Sequence, residues 1–562
     1  MKRSQYLLCT IIALLANCVS LEANHHIKRA ELDLHIPQLK KLSSKLSDER
    51  DKKEVEEVIL YATKVAKAGK HAKPEQLTKA LGAVYRALDH FKAWAPHPEI
   101  LDSFIDLKAD LHLVLDSLEE RFPETGATHI SHLPFLIDRP GRYYITENLA
   151  YTEAESAITV IADNVKIDCN NHALTLQNDA AKGIWAHNVT NLTIENAIIH
   201  GVGLSGISFE DVTKASIQNL YAYNLKQGIT LQNSQNVHIL QALLGSGVRI
   251  EGSDSIFVET SSFEGEAENE AHALLVTQDA KNIYVTDCTF SNWISTISLE
   301  HVTGLFIDNI VARASPLSTK NLVQLGTSQT QANDVQIKNS SFIQANGSSG
   351  FDGLFFVNGH TARLDNVIVD ICSTNQDSYL ASAIHIGCAI NGTVVCNPEL
   401  SYSDLHATGC IIKGAFPYGL HIEKGSFITF DESKFTDGSI ANIAMEGARS
   451  CVIKDSSIAN GSYTSNGIIL YPGALNNCVL GCEVSHHGLN GITVSERATN
   501  SVLMNNHIFA NGHYGIHDND NTTVTYGNRV CKNRTQNCMG VSPAQIAGDY
   551  PITAGGNVCC IP

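Results

Sequence analysis

The residues best suited to chemistry lie near the C-terminus of the 562-residue chain, in three segments aligned by Gly467, Gly491 and Gly515. The alignment produces columns of mostly polar residues: Ile469, Thr493 and His517; Glu496 and Asp520, with Arg497 beside them; and His487 and Asn511. If the segments stack at strand-pairing distance, neighbours in a column lie about 5 Å apart and can share a ligand or ion. Histidine transfers protons near neutral pH, so the columns predict a proton-transfer or ligand-binding site. The alternative is that these are ordinary outward polar residues at coil corners.

A sequence repeat must position these columns. It contains a glycine, a short apolar alternation, an Asn or Ser, and a second alternation, as in GIWAHNVTNLTIENAIIHGVG from Gly183 and GISFEDVTKASIQNLYAYNLK from Gly206. The period of 22 to 24 residues is typical of solenoids. Alternation indicates strands with one buried face, and strands this short bury a core only when coils stack. We therefore predict a mainly β fold, a parallel β-helix, right-handed because parallel connections almost always are.

Four regions are predicted along the chain. Residues 1–23 are expected to be an export signal peptide, because two cations precede an apolar run and small residues. Residues 24–122 have apolar residues at helical spacing and predict a small α-helical N-terminal bundle. Residues 123–135 are expected to be a linker, and residues 136–562 the β-helix with loop insertions. No later run is apolar enough to span a membrane, so we expect a periplasmic, cell-surface or secreted protein.

Composition restricts the partners. A net charge of −18 with only 17% charged residues argues against nucleic acid, which requires basic patches. Three stretches break the repeat, at residues 265–271, 315–334 and 374–408, and insertions in solenoids often lie on the binding face. The first is acidic and makes Ca²⁺ the one cofactor to consider, although such a run also suits a solvated loop.

The 15 cysteines allow two interpretations. In an exported protein, the local pairs Cys388–Cys396 and Cys531–Cys538 suggest disulfides. Alternatively, several cysteines face inward and stack within the core, since free cysteine is often buried.

The opening of the β region resembles the bacterial right-handed parallel β-helix proteins of the pectate-lyase-like superfamily. The matching residues are Pro140, Gly141, Tyr143, Tyr144, Ala162, Asp163, Asn164, Val165, Ile167, Asp168, Asn170 and Leu174. Asn171 stands where glycine is usual, and Asn is the next best residue for a left-handed corner. The resemblance covers about three quarters of the chain and implies the fold, whereas relatives include lyases, hydrolases, epimerases and binding proteins.

Part of the C-terminal cluster resembles an alginate C5-epimerase motif. His487-Gly488 followed by Ser495-Glu496-Arg497 carries this resemblance, which implies that Arg497 neutralises a uronate while His487 or His517 transfers protons. The family's Asp-Pro-His string is missing, and His517-Asp518 matches it only in part. The strings Asn-Thr-Asp, Asp-Asp, Gly-His-Gly and Arg-Ile-Lys are also absent, which argues against hydrolysis of the polygalacturonase type.

The leading hypothesis is an exported β-helix protein that binds or processes extracellular or envelope polysaccharide. The enzyme version is a polysaccharide lyase or uronate C5-epimerase, with Arg497, His517, His487 and Asp518 as catalytic candidates and Glu496 and Asp520 as ligand-binding candidates. One alternative is a non-enzymatic surface or secreted protein that captures a protein partner through its helical N-terminal domain. Another is a periplasmic metal-delivery protein using His25-His26, His406 or His421, with its ligand set unknown.

Overall fold

The computed structural model describes residues 127–265, 272–315, 321–327, 329–344, 352–371, 382–387, 401–414, 417–519, 523–539 and 558–559. The predicted signal peptide and helical bundle lie outside these residues. The chain divides into two units, Met1–Gly126 and Ala127–Pro562. No helix that could cross a membrane occurs in the described ranges.

The described chain contains 48 β-strands. In chain order the first 24 are β1 Thr128–Ile130, β2 Phe135–Ile137, β3 Gly141–Ile145, β4 Leu149–Tyr151, β5 Ser156–Val160, β6 Val165–Asp168, β7 Ala173–Leu176, β8 Lys182–His187, β9 Thr190–Gly201, β10 Ser205–Glu210, β11 Thr213–Tyr223, β12 Gln227–Gln232, β13 Gln235–Leu240, β14 Leu243–Leu244, β15 Val248–Glu251, β16 Asp254–Glu259, β17 Ser262–Glu264, β18 His272–Thr277, β19 Ala280–Thr286, β20 Thr289–Trp293, β21 Ser295–Leu299, β22 Val302–Asp308, β23 Val311–Ala314 and β24 Val323–Leu325. The remainder are β25 Ala332–Lys338, β26 Ser341–Gln344, β27 Leu354–Phe356, β28 Gly359–Asp365, β29 Ile368–Ile371, β30 Ser382–Ile386, β31 Tyr402–Thr408, β32 Ile411–Gly414, β33 Tyr418–Asp431, β34 Lys434–Thr436, β35 Ala441–Arg449, β36 Val452–Lys454, β37 Ser457–Ala459, β38 Asn466–Leu470, β39 Cys478–Leu480, β40 Glu483–Ser485, β41 Ile492–Val494, β42 Val502–Met504, β43 His507–Phe509, β44 Tyr514–Asp518, β45 Val524–Tyr526, β46 Arg529–Cys531, β47 Gln536–Met539 and β48 Val558–Cys559.

All pairings between these strands are parallel, and each strand pairs with its counterpart one coil away, which gives three long sheets. The sheet that matters for the site, called sheet A, includes β27, β30, the start of β33, β35, β38, β41, β44 and β47. The predicted parallel β-helix is therefore confirmed. Its period follows from three short strands and three corners in each coil.

One continuous apolar interior runs through the coils. Sheet A contributes an inward column in which every residue has almost no solvent exposure: Ile384, Leu420, Ile443, Ile468, Ile492 and Ile516. Burial of each such side chain contributes about 2 kcal/mol. Stacked coils thus provide the core that no single short strand could form.

Asparagines form hydrogen-bond ladders at the corners. Nδ2 of Asn219 donates to Oδ1 of Asn196 at 3.1 Å, and Nδ2 of Asn196 donates to Oδ1 of Asp168 at 3.1 Å. Asn171 has φ 58°, so it does take the left-handed corner where related coils have glycine. The ladders satisfy backbone and side-chain groups where the chain turns.

The β-helix begins earlier than residue 136. Strand β1 lies inside the segment expected to be a linker, yet it pairs with β3, and Ile130 is fully buried. The segment expected to be a linker therefore contains a short strand of the first coil.

The described cysteines follow the core interpretation. Cys169, Cys288, Cys410, Cys451 and Cys482 are free and buried, and Cys478 is free and half-buried. Cys531 has a bonding partner, and the pair Cys531–Cys538 stays a prediction. Cys388 and Cys396 lie outside the described residues.

Alkylation of the native protein is expected to label Cys478 faster than the five buried thiols. Burial raises the pKa of Cys288 to about 12 and that of Cys410, Cys451 and Cys482 to about 11, so little reactive thiolate forms at pH 8. Peptide mass spectrometry after brief iodoacetamide treatment measures the rates. Comparable labelling at all six positions, without denaturant, would contradict this assignment of buried cysteines.

Candidate functional site

The outward face of sheet A holds a column of aromatic and polar residues. Parallel register stacks Phe355, His385, His421, Ala444, Ile469, Thr493 and His517. The predicted alignment of Ile469, Thr493 and His517 is confirmed. The column extends further toward the N-terminus than expected, to two histidines on adjacent coils.

His385 lies between two carboxylates. Its Nδ1 is 3.0 Å from Oδ2 of Asp352, and its Nε2 is 3.4 Å from Oε2 of Glu423. The second contact has ion-pair distance without the alignment of a good hydrogen bond. Asp352 is itself fixed, because its Oδ1 accepts the backbone N–H of Ser382 at 2.7 Å. The His385 side chain is only 1% exposed, so its surroundings decide its charge.

Burial disfavours the imidazolium form of His385, but the carboxylates of Asp352 and Glu423 outweigh that effect. Together they raise the pKa of His385 to about 9. His385 is therefore protonated at neutral pH, and its positive charge is held between two acidic side chains.

His421 stacks on His385 and lies closer to solvent. The two rings are 4.9 Å apart between centroids, and the Tyr418 ring is 4.7 Å from His421 on its other side. Nε2 of His421 lies 3.6 Å from Oε2 of Glu446, beyond hydrogen-bonding distance, and has no hydrogen-bond partner. A buried nitrogen without a partner is costly unless a ligand or water completes it.

Two tyrosines meet across the outward face. The hydroxyls of Tyr418 and Tyr471 are 3.2 Å apart, although the residues lie two coils apart. Ala444, on the coil between them, is fully buried, and its small side chain leaves room for the two phenols. Burial, the hydrogen bond to Tyr471 and the charge of Glu446 all raise the pKa of Tyr418, so its phenol keeps its proton.

Two glutamates lie at the edge of this group. The register of β33 and β35 places Glu423 and Glu446 at equivalent positions on adjacent coils. The Glu446 side chain is 56% exposed, and that of Glu423 is 26% exposed. We call Asp352, His385, Tyr418, His421, Glu423, Glu446 and Tyr471 the histidine cluster. Its opening to solvent is at Glu446, Tyr418 and Tyr471.

A second tyrosine–histidine pair occurs four coils further along sheet A. Tyr514 and His517 have ring centroids 5.0 Å apart and tilted by 42°, compared with 4.7 Å and 39° for Tyr418 and His421. Both pairs come from the same pattern, Tyr-Gly-Leu-His and Tyr-Gly-Ile-His. Four coil steps separate them by about 19 Å.

The floor between the two pairs consists of small side chains, polar side chains and Ile469. Thr493 Oγ1 donates to Oδ1 of Asn466 at 3.1 Å, and Asn490 Nδ2 donates to Thr493 Oγ1 at 3.0 Å. We call the column from Tyr418 to His517, with Ala441, Ala444, Asn466, Ile469, Asn490 and Thr493 as its floor, the sheet A strip. Ala441, Ala444 and Ile469 in this floor are at most 6% exposed.

The other predicted site residues are not all on this strip. Glu496 and Arg497 are exposed in the turn after β41, and Asp520 lies outside the described residues. Asp518 pairs in register with the core residue Val494 and is only 3% exposed. Adjacent residues of a strand face opposite sides, so His517 faces outward and Asp518 faces inward.

His487 and Asn511 do share a column, but they are not outward residues as the alternative interpretation expected. Both are buried, and Oδ1 of Asn511 accepts the backbone N–H of His487 at 3.1 Å. His487 Nε2 donates to the carbonyl of Ile458 at 3.1 Å. Burial lowers the pKa of His487 to about 4, so the ring is neutral at neutral pH. It belongs to the buried corner of the coil and is not part of the sheet A strip.

Sequence reasoning named His421 only as a metal ligand and missed His385. The strand containing His385 lies inside the stretch at 374–408 that broke the repeat. The missed signal is the similarity of Ala383-Ile384-His385-Ile386 to Gly419-Leu420-His421-Ile422. In the described ranges, no group of three or more His, Cys, Asp or Glu side chains is placed to hold a metal ion. Ca²⁺ binding and metal delivery stay predictions.

Comparison with known families agrees with the fold. A family model described as right handed beta helix region matches residues 394–557. The chain is a right-handed parallel β-helix protein. The match and the coils described above fit the pectate-lyase-like superfamily that the opening coils resemble.

Among solved β-helix structures, the chain is similar to the tailspike protein of E. coli bacteriophage HK620, solved in complex with a pentasaccharide. The identity is 11%, the TM-score 0.37, and the match covers 69% of this chain and 72% of the tailspike. The A-module of the Azotobacter vinelandii mannuronan C-5 epimerase AlgE4 gives 12% identity, a TM-score of 0.33, and coverage of 52% and 86%. The periplasmic alginate epimerase AlgG gives 10%, 0.30, and coverage of 67% and 77%. No curated protein matches the sequence. The function of this β-helix must therefore be argued from its own side chains.

Proposed function

We propose that this protein binds a linear polysaccharide along the sheet A strip and hydrolyses it at the histidine cluster. The observation that carries the proposal is the unpartnered Nε2 of His421, enclosed by Tyr418, His385 and Glu446. Side chains of three successive coils converge there, and one imidazole nitrogen is left for a ligand. Clustered titratable groups around an unsatisfied polar atom favour a functional site.

The glutamate pair supports the choice of reaction. Glycoside hydrolysis uses two carboxyl groups, about 5 Å apart in retaining enzymes. Glu423 and Glu446 occupy positions one coil apart, which separates their backbones by about 4.8 Å. We assign Glu446, beside His421 and the phenols, to proton transfer at the glycosidic oxygen. Glu423, beside the His385 imidazolium, is the opposing carboxylate.

The charges of the cluster favour an uncharged sugar. The carboxylates of Asp352, Glu423 and Glu446 face His385 and His421. An anionic sugar would meet like charges at the opening, whereas hydroxyl groups can donate to His421 and to the carboxylates.

A panel of linear polysaccharides tests the proposal. We expect new reducing ends from at least one neutral polymer, without the ultraviolet absorbance of an unsaturated product. His421→Gln should weaken glycan binding, because the glycan loses its hydrogen-bond partner, the Nε2 atom of His421. Absence of binding and cleavage across the panel would reject the proposal.

Uronate elimination or C5 epimerisation is the second candidate, at Tyr514 and His517. The specific observation is that this pair repeats the geometry of Tyr418 and His421 and lies on the coil after Arg497, which supplies a cation for a uronate carboxylate. Absorbance of the unsaturated product and NMR of the sugar detect these reactions. Loss of either activity in His517→Gln, with Tyr418→Phe unaffected, would assign it there.

A further inference from the structure

A trough runs along one corner of the solenoid, on the turn that leads from strands β37, β40, β43 and β46 back to sheet A. It has a volume of about 550 Å³. Tyr463, Gly488, Gly512 and Arg534 follow one another on successive coils, since Gly488 N–H donates to Ser462 O, Gly512 N–H to His487 O and Arg534 N–H to Asn511 O. Three coil steps make the trough about 14 Å long.

Glycines keep the floor of the trough flat. A Cβ on Gly488 would lie 2.0 Å from the backbone of Tyr463, and one on Gly512 would lie 2.1 Å from the carbonyl oxygen of Gly488. No side chain larger than hydrogen fits at either position. The glycines therefore let successive coils pack closely beneath the trough, and they add no side chain to its floor.

The ends of the trough carry different chemistry. Tyr463 at one end is 87% exposed, and Lys532 and Arg534 at the other end are exposed cations. Neither cation takes part in an ion pair among the described residues. In a chain of net charge −18, two nearby cations without a carboxylate partner in the described part of the chain form a local site for an anion.

The wall adds a hydrogen-bond acceptor. His487 lines the trough, and its Nδ1 has no hydrogen-bond partner, because Nε2 is the nitrogen that donates to Ile458. This nitrogen lies next to Gly461, where an added Cβ would approach it to 2.5 Å. A ligand hydroxyl that reached this nitrogen would supply the missing hydrogen bond.

From these features we infer that the trough binds a short acidic oligosaccharide. The Tyr463 ring stacks on one sugar, His487 Nδ1 accepts from a hydroxyl, and Lys532 with Arg534 binds a carboxylate or sulfate at the other end. The site is separate from the histidine cluster and does not depend on the function proposed there.

Isothermal titration calorimetry on the full chain tests the inference with trigalacturonate, maltotriose and inorganic sulfate as probes. We expect trigalacturonate to bind at least tenfold more tightly than maltotriose or sulfate, and to weaken as salt is raised. The double variant Lys532→Ala with Arg534→Ala should lose at least tenfold in affinity, and Tyr463→Ala should lose severalfold. Arg313→Ala and Tyr526→Ala, exposed residues outside the trough, are the matched controls and should bind normally.

Three outcomes would overturn the inference: no binding of trigalacturonate, unchanged affinity in the double variant, or equal affinity for sulfate alone, which would mean a simple anion site. Circular dichroism of each variant shows whether it is folded. Glu446→Gln should leave trigalacturonate affinity unchanged, so failure of the proposed hydrolysis and failure of the trough are distinguishable.

Discussion

Glu446→Gln is expected to lower kcat for polysaccharide cleavage by about 10³-fold, because proton transfer by a positioned side chain contributes about 10²–10⁴-fold. The amide keeps the size and polarity of the side chain but cannot exchange a proton. Since Glu446 is 56% exposed, its replacement creates no unpaired buried charge, and the free energy of unfolding should change by less than about 1 kcal/mol. Steady-state kinetics with a reducing-end assay and a parallel denaturant titration measure the two quantities.

Glu483→Gln is the matched control, because Glu483 is an exposed strand glutamate on a different sheet of the same coils. Its kcat should equal that of the unmodified protein. A Glu446→Gln variant that cleaves at the normal rate would remove Glu446 from the reaction. Loss of activity together with a large loss of stability would instead indicate a structural role.

Asp352→Asn is expected to destabilise the fold by about 3–5 kcal/mol near neutral pH, the usual cost of breaking a buried ion pair. The amide leaves the buried His385 imidazolium with Glu423 as its one remaining carboxylate. Asp404→Asn is the matched control, because Asp404 and His406 form a comparable pair, 3.3 Å apart, in which both side chains are more than half exposed. That pair should contribute less than about 1 kcal/mol.

The pH dependence of the free energy of unfolding tests whether His385 is protonated in the folded protein. The folded pKa of His385, about 9, lies above the unfolded value of about 6.5. The stabilisation from protonated His385, about 3 kcal/mol, is therefore complete below about pH 6.5 and disappears as the pH rises through about 9. Denaturant titrations between pH 5 and 9.5 should show this alkaline loss in the unmodified protein and a smaller one in Asp352→Asn. Identical pH profiles would contradict the assigned ion pair.

Much of the fold could be predicted from the repeat, because each coil repeats the same alternation and the same left-handed corner. The column of Ile469, Thr493 and His517 followed from spacing alone, since parallel register aligns equivalent positions. The same reasoning could not assign Asp518 to the inward face, because its acidic character suggested exposure while strand alternation determined its direction.

The histidine cluster was harder to predict for a physical reason. Asp352, His385 and His421 lie on coils separated by insertions of unequal length, so their sequence spacing does not report their stacking. Tyr418 and Tyr471 meet across an intervening coil that has alanines at 441 and 444, and sequence spacing does not reveal a contact between residues two coils apart. His487 was misjudged because a neutral imidazole at a buried corner has the same sequence signature as an exposed one.

Because every coil has the same height, distances along the sheet A strip are multiples of one coil step. The two tyrosine–histidine pairs stand a whole number of turns apart, so adding or removing one complete turn between them would change their separation by about 4.8 Å and leave each pair intact. The reach of this surface can thus be adjusted in discrete steps without rebuilding either end.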